Sequence, residues 1–242
     1  EGVIKGKSEM YDYLRTNNKL AFINLDDTIQ KEKSKDITLY SFGLNNNNSD
    51  VKITNIEANP MVKITFNEIT IHSHLIGIYN ANNINAAITI GKFFEVPDEL
   101  IKEAIEHYIP ENNRSQLIQK NTNEIILDAY NANPSSMAAA IENFKQLDKE
   151  NKIAILGDMF ELGEESLVEH KKIVELLENN NNISTYFIGK DFYANHKSNN
   201  HFHFFENFES FANFFNTSIP SSSLILIKGS RGMALERTLT LL

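Results

Sequence analysis

The segment that most constrains the fold lies near the middle of the chain, where the apolar residues 125–127 lead into Asp128, an Asn-rich stretch and Pro134-Ser135-Ser136. An apolar run followed by this punctuation predicts a strand, a polar turn and a helix start. In α/β proteins such turns lie at the carboxyl edge of a sheet, where phosphate groups bind. The same residues are also typical of a plain capped helix, and their spacing leaves both interpretations open.

The first half of the chain is rich in predicted strands. Alternation and β-branched residues predict strands at 19–25, 37–42, 51–56, 61–66 and 69–74, as antiparallel strands and hairpins at one end of a sheet. The pattern then changes to helices, predicted from Asn80 to before Pro97 and over 98–107 with Asp98 as the cap. A strand at 124–127 and a helix at 135–147 follow.

The second half alternates between strands and helices. The predicted elements are strand 153–156, helix 165–178, strand 185–188, helix 208–215, strand 224–227 and helix 233–241. This alternation predicts a small parallel, Rossmann-like sheet with right-handed crossovers. The polar run 148–152 separates the two patterns, so the sequence predicts domains at 1–148 and 149–242.

Composition excludes several classes of protein. The chain is 41% hydrophobic and 23% charged, which is ordinary for a globular protein long enough to bury a real core. A net charge of -9 argues against a nucleic-acid or anionic-membrane partner. The chain has no cysteine, so it has no disulfide framework. No run approaches the roughly 20 apolar residues of a membrane span.

Six segments, in order along the chain, resemble the Mur ligase family. They are EGVIKGKSE from Glu1, INLDD from Ile23, GIYNANN from Gly77, DAYNANPSSM from Asp128, ILGDMFELG from Ile155 and KGSRGM from Lys228. The resemblance implies an α/β protein in two parts. These are the C-terminal portion of a central ATPase domain, with a mixed sheet and helices, and a Rossmann-like C-terminal domain.

One part of the family pattern is missing from this sequence. Mur ligases carry a Gly-rich phosphate loop ending in Lys-Thr or Lys-Ser, and no G-x-x-x-x-G-K-[ST] occurs among these 242 residues. We therefore expect a fragment without the phosphate loop and the UDP-sugar-binding N-terminal domain. Such a fragment is expected to be inactive alone.

The resemblance implies an ATP- and Mg²⁺-dependent amide ligase of peptidoglycan precursor synthesis, cytoplasmic and monomeric. Its expected substrates are UDP-N-acetylmuramoyl-tripeptide and D-alanyl-D-alanine, joined through an acyl phosphate, with no nucleic-acid or membrane partner. Two alternatives stay open. Another amide ligase of this fold, such as a folylpolyglutamate synthase, is disfavoured by the strings DAYNANPSSM and KGSRGM. A non-catalytic nucleotide- or ligand-binding module is supported by the missing phosphate loop.

Lys7 is the candidate catalytic residue and metal ligand. Helical spacing places Lys7 on one face with Ile4, Tyr11 and Leu14, and burial on an apolar face favours a neutral amine. In Mur ligases the matching lysine is carbamylated, and the carbamate binds Mg²⁺, a cation that prefers oxygen ligands. The alternative is a lysine that reaches water from a half-buried helix face.

The resemblance also implies residues that bind the nucleotide. Asn83 matches the family residue that contacts adenine, and Asn80 lies at the same turn, where it could equally be a plain N-cap. Tyr79 stands where the family has His, so no role is assigned to it. Arg114 matches a residue that contacts the ribose. The segment that approaches the γ-phosphate contributes Asp128, Asn131 and Asn133.

Three residues of the second half are candidates for binding the incoming substrate. Asp158 follows a predicted strand and could hold the amine, while Ser230 and Arg231 follow another, where Arg231 could bind a carboxylate through two hydrogen bonds. His170 shares a helix face with apolar residues. That pattern is more typical of a hydrogen-bonded core histidine than of a catalyst.

Overall fold

The structure, a computed structural model, describes residues 2–44 and 48–242. It divides into two compact units, Glu1–Tyr108 and Ile109–Leu242. This division differs from the boundary predicted between residues 148 and 149. The reason is strand pairing, because the strand that ends at Asp128 is bonded along its length to the strand Leu224–Lys228 of the second unit.

Unit 1 contains a five-stranded sheet whose strands follow chain order, β1-β2-β3-β4-β5. Strands β1 and β2 are parallel, as are β2 and β3, whereas β3, β4 and β5 form antiparallel hairpins. The hairpin prediction is confirmed for β3 to β5 only, since α2 crosses over between β1 and β2. The elements are α1 (Gly2–Thr16), β1 (Leu20–Asn24), α2 (Thr28–Lys33), β2 (Thr38–Gly43), β3 (Val51–Ala58), β4 (Met61–Phe66) and β5 (Ile69–Ile76).

Two further helices of unit 1 pack on this sheet. A 3₁₀ turn, Ile78–Asn80, leads into α3 (Ala81–Phe93), and α4 (Asp98–Glu106) follows. Pro97 rather than Asp98 is the N-cap of α4. The apolar stripe of α3, with Ile84 and Ile88, packs on buried residues of the strands such as Ile71.

Unit 2 contains a six-stranded sheet in the order β10-β9-β8-β11-β7-β6. All neighbouring strands are parallel except the β6–β7 pair. The last strand, β11, lies between β7 and β8. The elements are β6 (Gln116–Lys120), β7 (Asn123–Asp128), α5 (Pro134–Gln146), β8 (Lys152–Gly157), α6 (Ser166–Leu177), β9 (Ile183–Ile188), α7 (Lys190–Ala194), β10 (Phe202–Phe205), α8 (Phe208–Phe215) and β11 (Leu224–Lys228).

The alternating pattern of the second half is confirmed, with additions. The sequence pattern did not predict β6, α7 or β10, so the sheet is larger than the three parallel strands expected. The helix predicted at 233–241 is two 3₁₀ segments, Arg231–Met233 and Leu235–Thr240. Ala234 between them has a φ of 47°, which ends the helical path.

The core of unit 2 consists of side chains from β7, β8 and β11 with residues of α8, including Ile125, Ile155, Ile227 and Phe211. Because these strands are buried on both faces, they are nearly continuous apolar runs. The carboxyl ends of β7, β8 and β11 meet at one edge of the sheet. Within the described ranges, no helix is both long enough and apolar enough to cross a membrane.

Candidate functional site

The carboxyl edge of the second sheet brings together side chains that are distant in sequence. Asp128 ends β7, Asp158 directly follows β8, and Lys228 ends β11, followed by Ser230. These three strands are adjacent and parallel, so the polar groups at their ends lie side by side. The edge therefore combines carboxylates, an ammonium group and a hydroxyl.

Asp128 is bound from two sides. Its Oδ2 atom lies 2.6 Å from Nζ of Lys228, and its Oδ1 atom accepts hydrogen bonds from the backbone N–H and the hydroxyl of Ser115, at 3.2 and 3.4 Å. The Lys228 side chain is only 2% exposed and that of Asp128 13% exposed. In a pair this buried, the two opposite charges compensate each other.

Arg114 lies beside this pair in the loop before β6. Its guanidinium group stacks over the ring of Tyr130, with the carbon Cζ 3.7 Å from the ring centroid. Tyr130 in turn donates its backbone N–H to the carbonyl of Asn113 at 3.1 Å. Both Arg114 and Tyr130 are exposed, so the stacked pair is accessible to a ligand.

Asn133 is a helix cap in the structure. Its Oδ1 atom accepts the Ser136 N–H at 2.8 Å, and the Ser136 hydroxyl accepts the Asn133 N–H at 3.1 Å, which completes a capping box at the start of α5. Asn131 accepts the N–H of Ala132 through its side-chain oxygen at 2.8 Å. Both asparagines are exposed, and both therefore have a local structural role whether or not they contact a phosphate.

Asp158 is buried and bound by backbone amides. Its two carboxylate oxygens accept the N–H groups of Asp191 and Phe192 at 3.1 and 3.0 Å. Burial raises the pKa of Asp158, and the hydrogen bonds from these two amides oppose the rise. Gly189 makes room for the carboxylate, because a Cβ atom there would lie 2.2 Å from Cγ of Asp158. Asp158 thus orders the loop after β9.

His170 is a fully buried core residue, as its sequence pattern indicated. Its Nε2 atom accepts the Met159 N–H at 2.9 Å, and Nδ1 lies 2.7 Å from the carbonyl oxygen of Ser166. These partners require a neutral ring with the proton on Nδ1. Both ring nitrogens are therefore occupied by the fold.

Asp158, His170 and Asp191 form the one cluster of His, Asp and Glu close enough to share a cation in the part of the chain that the structure describes. All three side chains already accept hydrogen bonds. The Asp158 oxygens accept backbone amides, Nε2 of His170 accepts Met159, and Asp191 accepts the Ser166 hydroxyl at 2.6 Å. This cluster is explained as a hydrogen-bond network.

Ser230 and Arg231 occupy different environments. Ser230 is buried, and its hydroxyl accepts the Phe160 N–H at 2.8 Å, which joins the loops after β8 and β11. The side chain of Arg231 is 60% exposed and paired with Glu236 at 3.1 Å. The sequence grouped Asp158, Ser230 and Arg231 around one substrate, but the structure gives the first two internal partners and places Arg231 on the surface.

A cavity of about 400 Å³ opens at the carboxyl edge of β8, β9, β10 and β11. Its charged lining includes Lys190 and Arg237 together with Asp191 and Glu206. The Arg237 guanidinium stacks over the ring of Phe208, with Cζ 3.8 Å from the centroid. Both signs of charge within one cavity suit a zwitterionic ligand.

The sequence interpretation missed Lys190, Glu206 and Arg237. The sequence did contain a signal for Lys190. It comes directly after Gly189, just past the predicted strand 185–188, as Asp158 comes just past β8. Glu206 follows β10, a strand that was not predicted. Arg237 lay within the stretch 233–241, which was expected to be one regular helix.

Lys7 is exposed on α1, contrary to the apolar face expected from its spacing. The helix residues that contact the core are Tyr11 and Leu14, which pack against Ala21, Ile23 and Ile37. Ile4, one turn before Lys7, is itself 44% exposed. In the described residues, Lys7 belongs to no cluster of acidic or imidazole side chains that could share a cation.

Asn80 and Asn83 are linked at the start of α3. Asn80 is buried and donates its amide N–H to the carbonyl of Ile76 at 2.7 Å, while its Oδ1 atom accepts the amide N–H of Asn83 at 3.1 Å. Asn80 makes no side-chain bond to the α3 backbone as a cap. It instead holds the side chain of Asn83, which is exposed.

Asn83 lies at an apolar cavity of about 380 Å³ in unit 1. The other lining residues come from β5, α3 and the end of α4: Leu75, Ile84, Ala87, Ala104, Ile105 and Tyr108. Apolar walls with a single amide are typical of a site for a flat ring whose edge needs hydrogen bonds.

Comparison with known families agrees with this architecture. Residues 1–91 match the Mur ligase middle domain, and residues 113–231 match the domain described as Mur ligase, glutamate ligase domain. The chain therefore belongs to the Mur ligase family. The two matches fall on the two compact units.

Its relatives point to one member of the family. The UDP-N-acetylmuramoyl-tripeptide--D-alanyl-D-alanine ligase of Buchnera aphidicola subsp. Baizongia pistaciae is 29% identical over 97% of this chain and 53% of that protein. The Bacillus subtilis ligase of the same name is 28% identical over 98% and 53%. The crystal structure of MurF from Acinetobacter baumannii covers 99% of this chain and 54% of that one, with a TM-score of 0.81 and 26% identity. This chain thus spans about half the length of the relatives it matches.

Proposed function

We propose that this chain is part of an ATP-dependent ligase that joins D-alanyl-D-alanine to UDP-N-acetylmuramoyl-tripeptide in peptidoglycan precursor synthesis. The observation that carries the proposal is the match to ligases of that name along 97–98% of the chain. In this reaction the tripeptide carboxylate attacks the γ-phosphorus of ATP, and ADP leaves. The amine of the dipeptide then attacks the acyl carbon of the acyl phosphate, losing a proton as inorganic phosphate leaves.

In this proposal, the cavity beside α3 receives the adenine ring. Its apolar walls cover the two faces of a purine, and Asn83 binds the edge of the base through an amide that both donates and accepts. Asn80 is the positioning residue, because its Oδ1 atom fixes the orientation of the Asn83 amide. A MurF structure from Thermotoga maritima was solved with ADP and has a TM-score of 0.73 with this chain at 20% identity, which shows a shared fold.

Arg114 is proposed to bind the ribose. Stacking on Tyr130 limits the rotation of its side chain and leaves guanidinium N–H groups for a ligand oxygen. Asp128, Asn131 and Asn133 then belong to the turn that approaches the phosphates. Asp128 has an internal role as well, because it accepts the N–H and the hydroxyl of Ser115.

The mixed-charge cavity of unit 2 is proposed to bind D-alanyl-D-alanine. This dipeptide carries one ammonium and one carboxylate group at neutral pH. Lys190 and Arg237 can bind the carboxylate, and Glu206 or Asp191 can hold the ammonium group. The positioning of the amine lowers the barrier of the second step by making it effectively intramolecular.

Lys7 is proposed to be carbamylated, as the family resemblance implies. Its exposure leaves the amine accessible to carbon dioxide. A carbamate would give one oxygen ligand to Mg²⁺, and that ion neutralises phosphate charge when it is bound. We further propose that the protein acts as a cytoplasmic monomer.

Binding measurements on the 242-residue chain test the dipeptide site. We expect D-alanyl-D-alanine to perturb the NMR resonances of residues around the cavity, and Arg237→Gln to weaken binding about tenfold or more, because a charged hydrogen bond is lost. Arg231→Gln is the matched control, since Arg231 is exposed and does not line this cavity. If Arg231→Gln abolishes binding and Arg237→Gln does not, the carboxylate is bound at Arg231, as the sequence alone suggested.

A second measurement concerns catalysis. Because this sequence contains no phosphate-loop motif, the 242-residue chain is expected to release no phosphate from ATP with or without the dipeptide. Dipeptide-dependent phosphate release from the purified chain would contradict that expectation. Release that depends on a folate and glutamate would instead favour a folylpolyglutamate synthase.

A further inference from the structure

Lys228 is a buried cation at the end of the central strand β11. It is 2% exposed, and its Nζ atom lies 2.6 Å from Oδ2 of Asp128 and 3.4 Å from the carbonyl oxygen of Asn131. Both of these partners belong to the segment that leaves β7. Lys228 therefore connects the central strand to the turn that the sequence associates with phosphate binding.

Asp128 also binds a second loop, the one that precedes β6. The oxygen that Lys228 does not bind accepts the N–H and the hydroxyl of Ser115, the residue directly after Arg114. The same two loops meet again where Tyr130 donates its N–H to the carbonyl of Asn113. The Asp128 carboxylate is thus the link between β11 and the loop that carries Arg114.

The charges of Lys228 and Asp128 fix the geometry of this link. The Lys228 ammonium group is too buried to be solvated, so its N–H groups need the carboxylate and the carbonyl that surround them as hydrogen-bond acceptors. Hydrogen bonds between charged partners are shorter and stronger than neutral ones and fix direction as well as distance. Without Lys228, the Asp128 carboxylate would be a partly buried, unpaired charge and would turn away towards water.

We propose that Lys228 is a positioning residue for the nucleotide. It holds the Asp128 carboxylate in the orientation that binds Ser115, and this orientation keeps Arg114 stacked on Tyr130 in its ligand-ready position. Lys228 itself is buried, so in this proposal it acts through Asp128 and not through direct contact with the nucleotide. The nucleotide part of this inference rests on the function proposed above, whereas the ordering of the loop does not.

Amide hydrogen exchange and ADP titration of Lys228→Met test the proposal. Methionine keeps the unbranched apolar stem and removes the charge. We expect the amides of Ser115 and Tyr130 to exchange about tenfold faster or more, and ADP to bind about tenfold more weakly or more, because charged hydrogen bonds are lost.

Lys152→Met is the matched control. Lys152 is also a buried lysine of this sheet, but it lies at the start of β8, where its Nζ atom donates to the carbonyls of Lys145 and Leu147 at 2.9 and 3.0 Å. Its replacement should accelerate exchange near the end of α5 and leave Ser115, Tyr130 and ADP affinity unchanged. A general loss of stability would affect both variants alike.

A double variant covers the case in which Lys228→Met does not fold. Lys228→Met with Asp128→Asn leaves no unpaired buried charge, and the proposal expects the same faster exchange at Ser115 and weaker ADP binding. Asp128→Asn alone completes the set. Where all three variants fold, the proposal expects the double variant to bind ADP about as weakly as Lys228→Met alone or Asp128→Asn alone. Additive losses, or unchanged exchange at Ser115 with unchanged ADP affinity, would overturn it.

The two proposals fail in different ways. If the unaltered chain binds no ADP while Lys228→Met still accelerates exchange at Ser115, the nucleotide assignment is refuted and the ordering role of Lys228 stands. If ADP binds the unaltered chain and Lys228→Met changes neither measurement, the assignment stands and Lys228 is only a core residue.

Discussion

Replacement of Asn133 by Ala separates its two roles, as a helix cap and as a candidate phosphate contact. In the structure Oδ1 of Asn133 accepts the Ser136 N–H and the Ser135 hydroxyl. Alanine removes both bonds and leaves the first turn of α5 without its side-chain acceptor. The reciprocal bond from the Asn133 N–H to the Ser136 hydroxyl can persist. We therefore expect a loss of about 1 kcal/mol in the free energy of unfolding, the usual value for one cap.

Thermal unfolding followed by circular dichroism measures this loss. For a unit of this size, 1 kcal/mol corresponds to a decrease in Tm of about 3–5 °C. Asn133→Ser is the control, because a serine hydroxyl caps nearly as well and should keep the Tm close to that of the unaltered chain. ADP titration of the serine variant then reports on phosphate contact without a change in stability.

Two results would refute this reasoning. An unchanged Tm for Asn133→Ala would show that the capping box contributes nothing measurable to α5. An equal loss in the alanine and serine variants would show that the amide group acts through something other than the cap. Weaker ADP binding by the serine variant, with an unchanged Tm, would support the phosphate contact.

Two further predictions concern buried polar residues. Urea unfolding of His170→Leu should show a loss of about 1–3 kcal/mol in the free energy of unfolding, because the buried Met159 N–H loses its acceptor. His170→Gln should lose less, because its amide oxygen can replace Nε2 as the acceptor. Equal losses in the two variants would contradict this explanation. Burial lowers the pKa of Lys152 below 10.5, so the folded state releases this proton before the unfolded chain does. The free energy of unfolding should therefore rise with pH between the lowered pKa and 10.5, and a Lys152→Met chain that shows the same rise would refute the assignment.

Local sequence patterns predicted where strands and helices occur better than they predicted which strands pair with one another. The run 124–127 was expected as a strand, and it is the core of β7. Its domain was misplaced because the residues that pair with it, 224–228, are a hundred positions away. Composition around residue 148 gave no information about that pairing. Short elements with weak patterns, such as α7 and β10, were missed for a related reason, since tertiary contacts rather than local preference stabilise them.

The candidate site shows the same limit. Strand ends correctly placed Asp158 and Ser230 at the carboxyl edge of one sheet, but the sequence assigned Asp128 to the other domain, although it ends a strand of the same sheet. The sequence could not show which of these side chains already have hydrogen-bond partners within the protein. Asp158, for example, accepts the backbone amides of Asp191 and Phe192, and no sequence pattern encodes those contacts. Spacing also predicted a buried face for Lys7, but the packing of α1 begins one turn later, at Tyr11 and Leu14.

The central place of β11 has a consequence for how the protein is made. Translation produces β6 to β10 first, and the strand that belongs between β7 and β8 emerges last of those described. Until then, the β6–β7 hairpin and the group of β8, β9 and β10 each expose an open, apolar strand edge. Such edges are prone to pair with other chains. Nascent chains stalled before residue 224 should therefore depend on chaperones, whereas those that have released β11 should not.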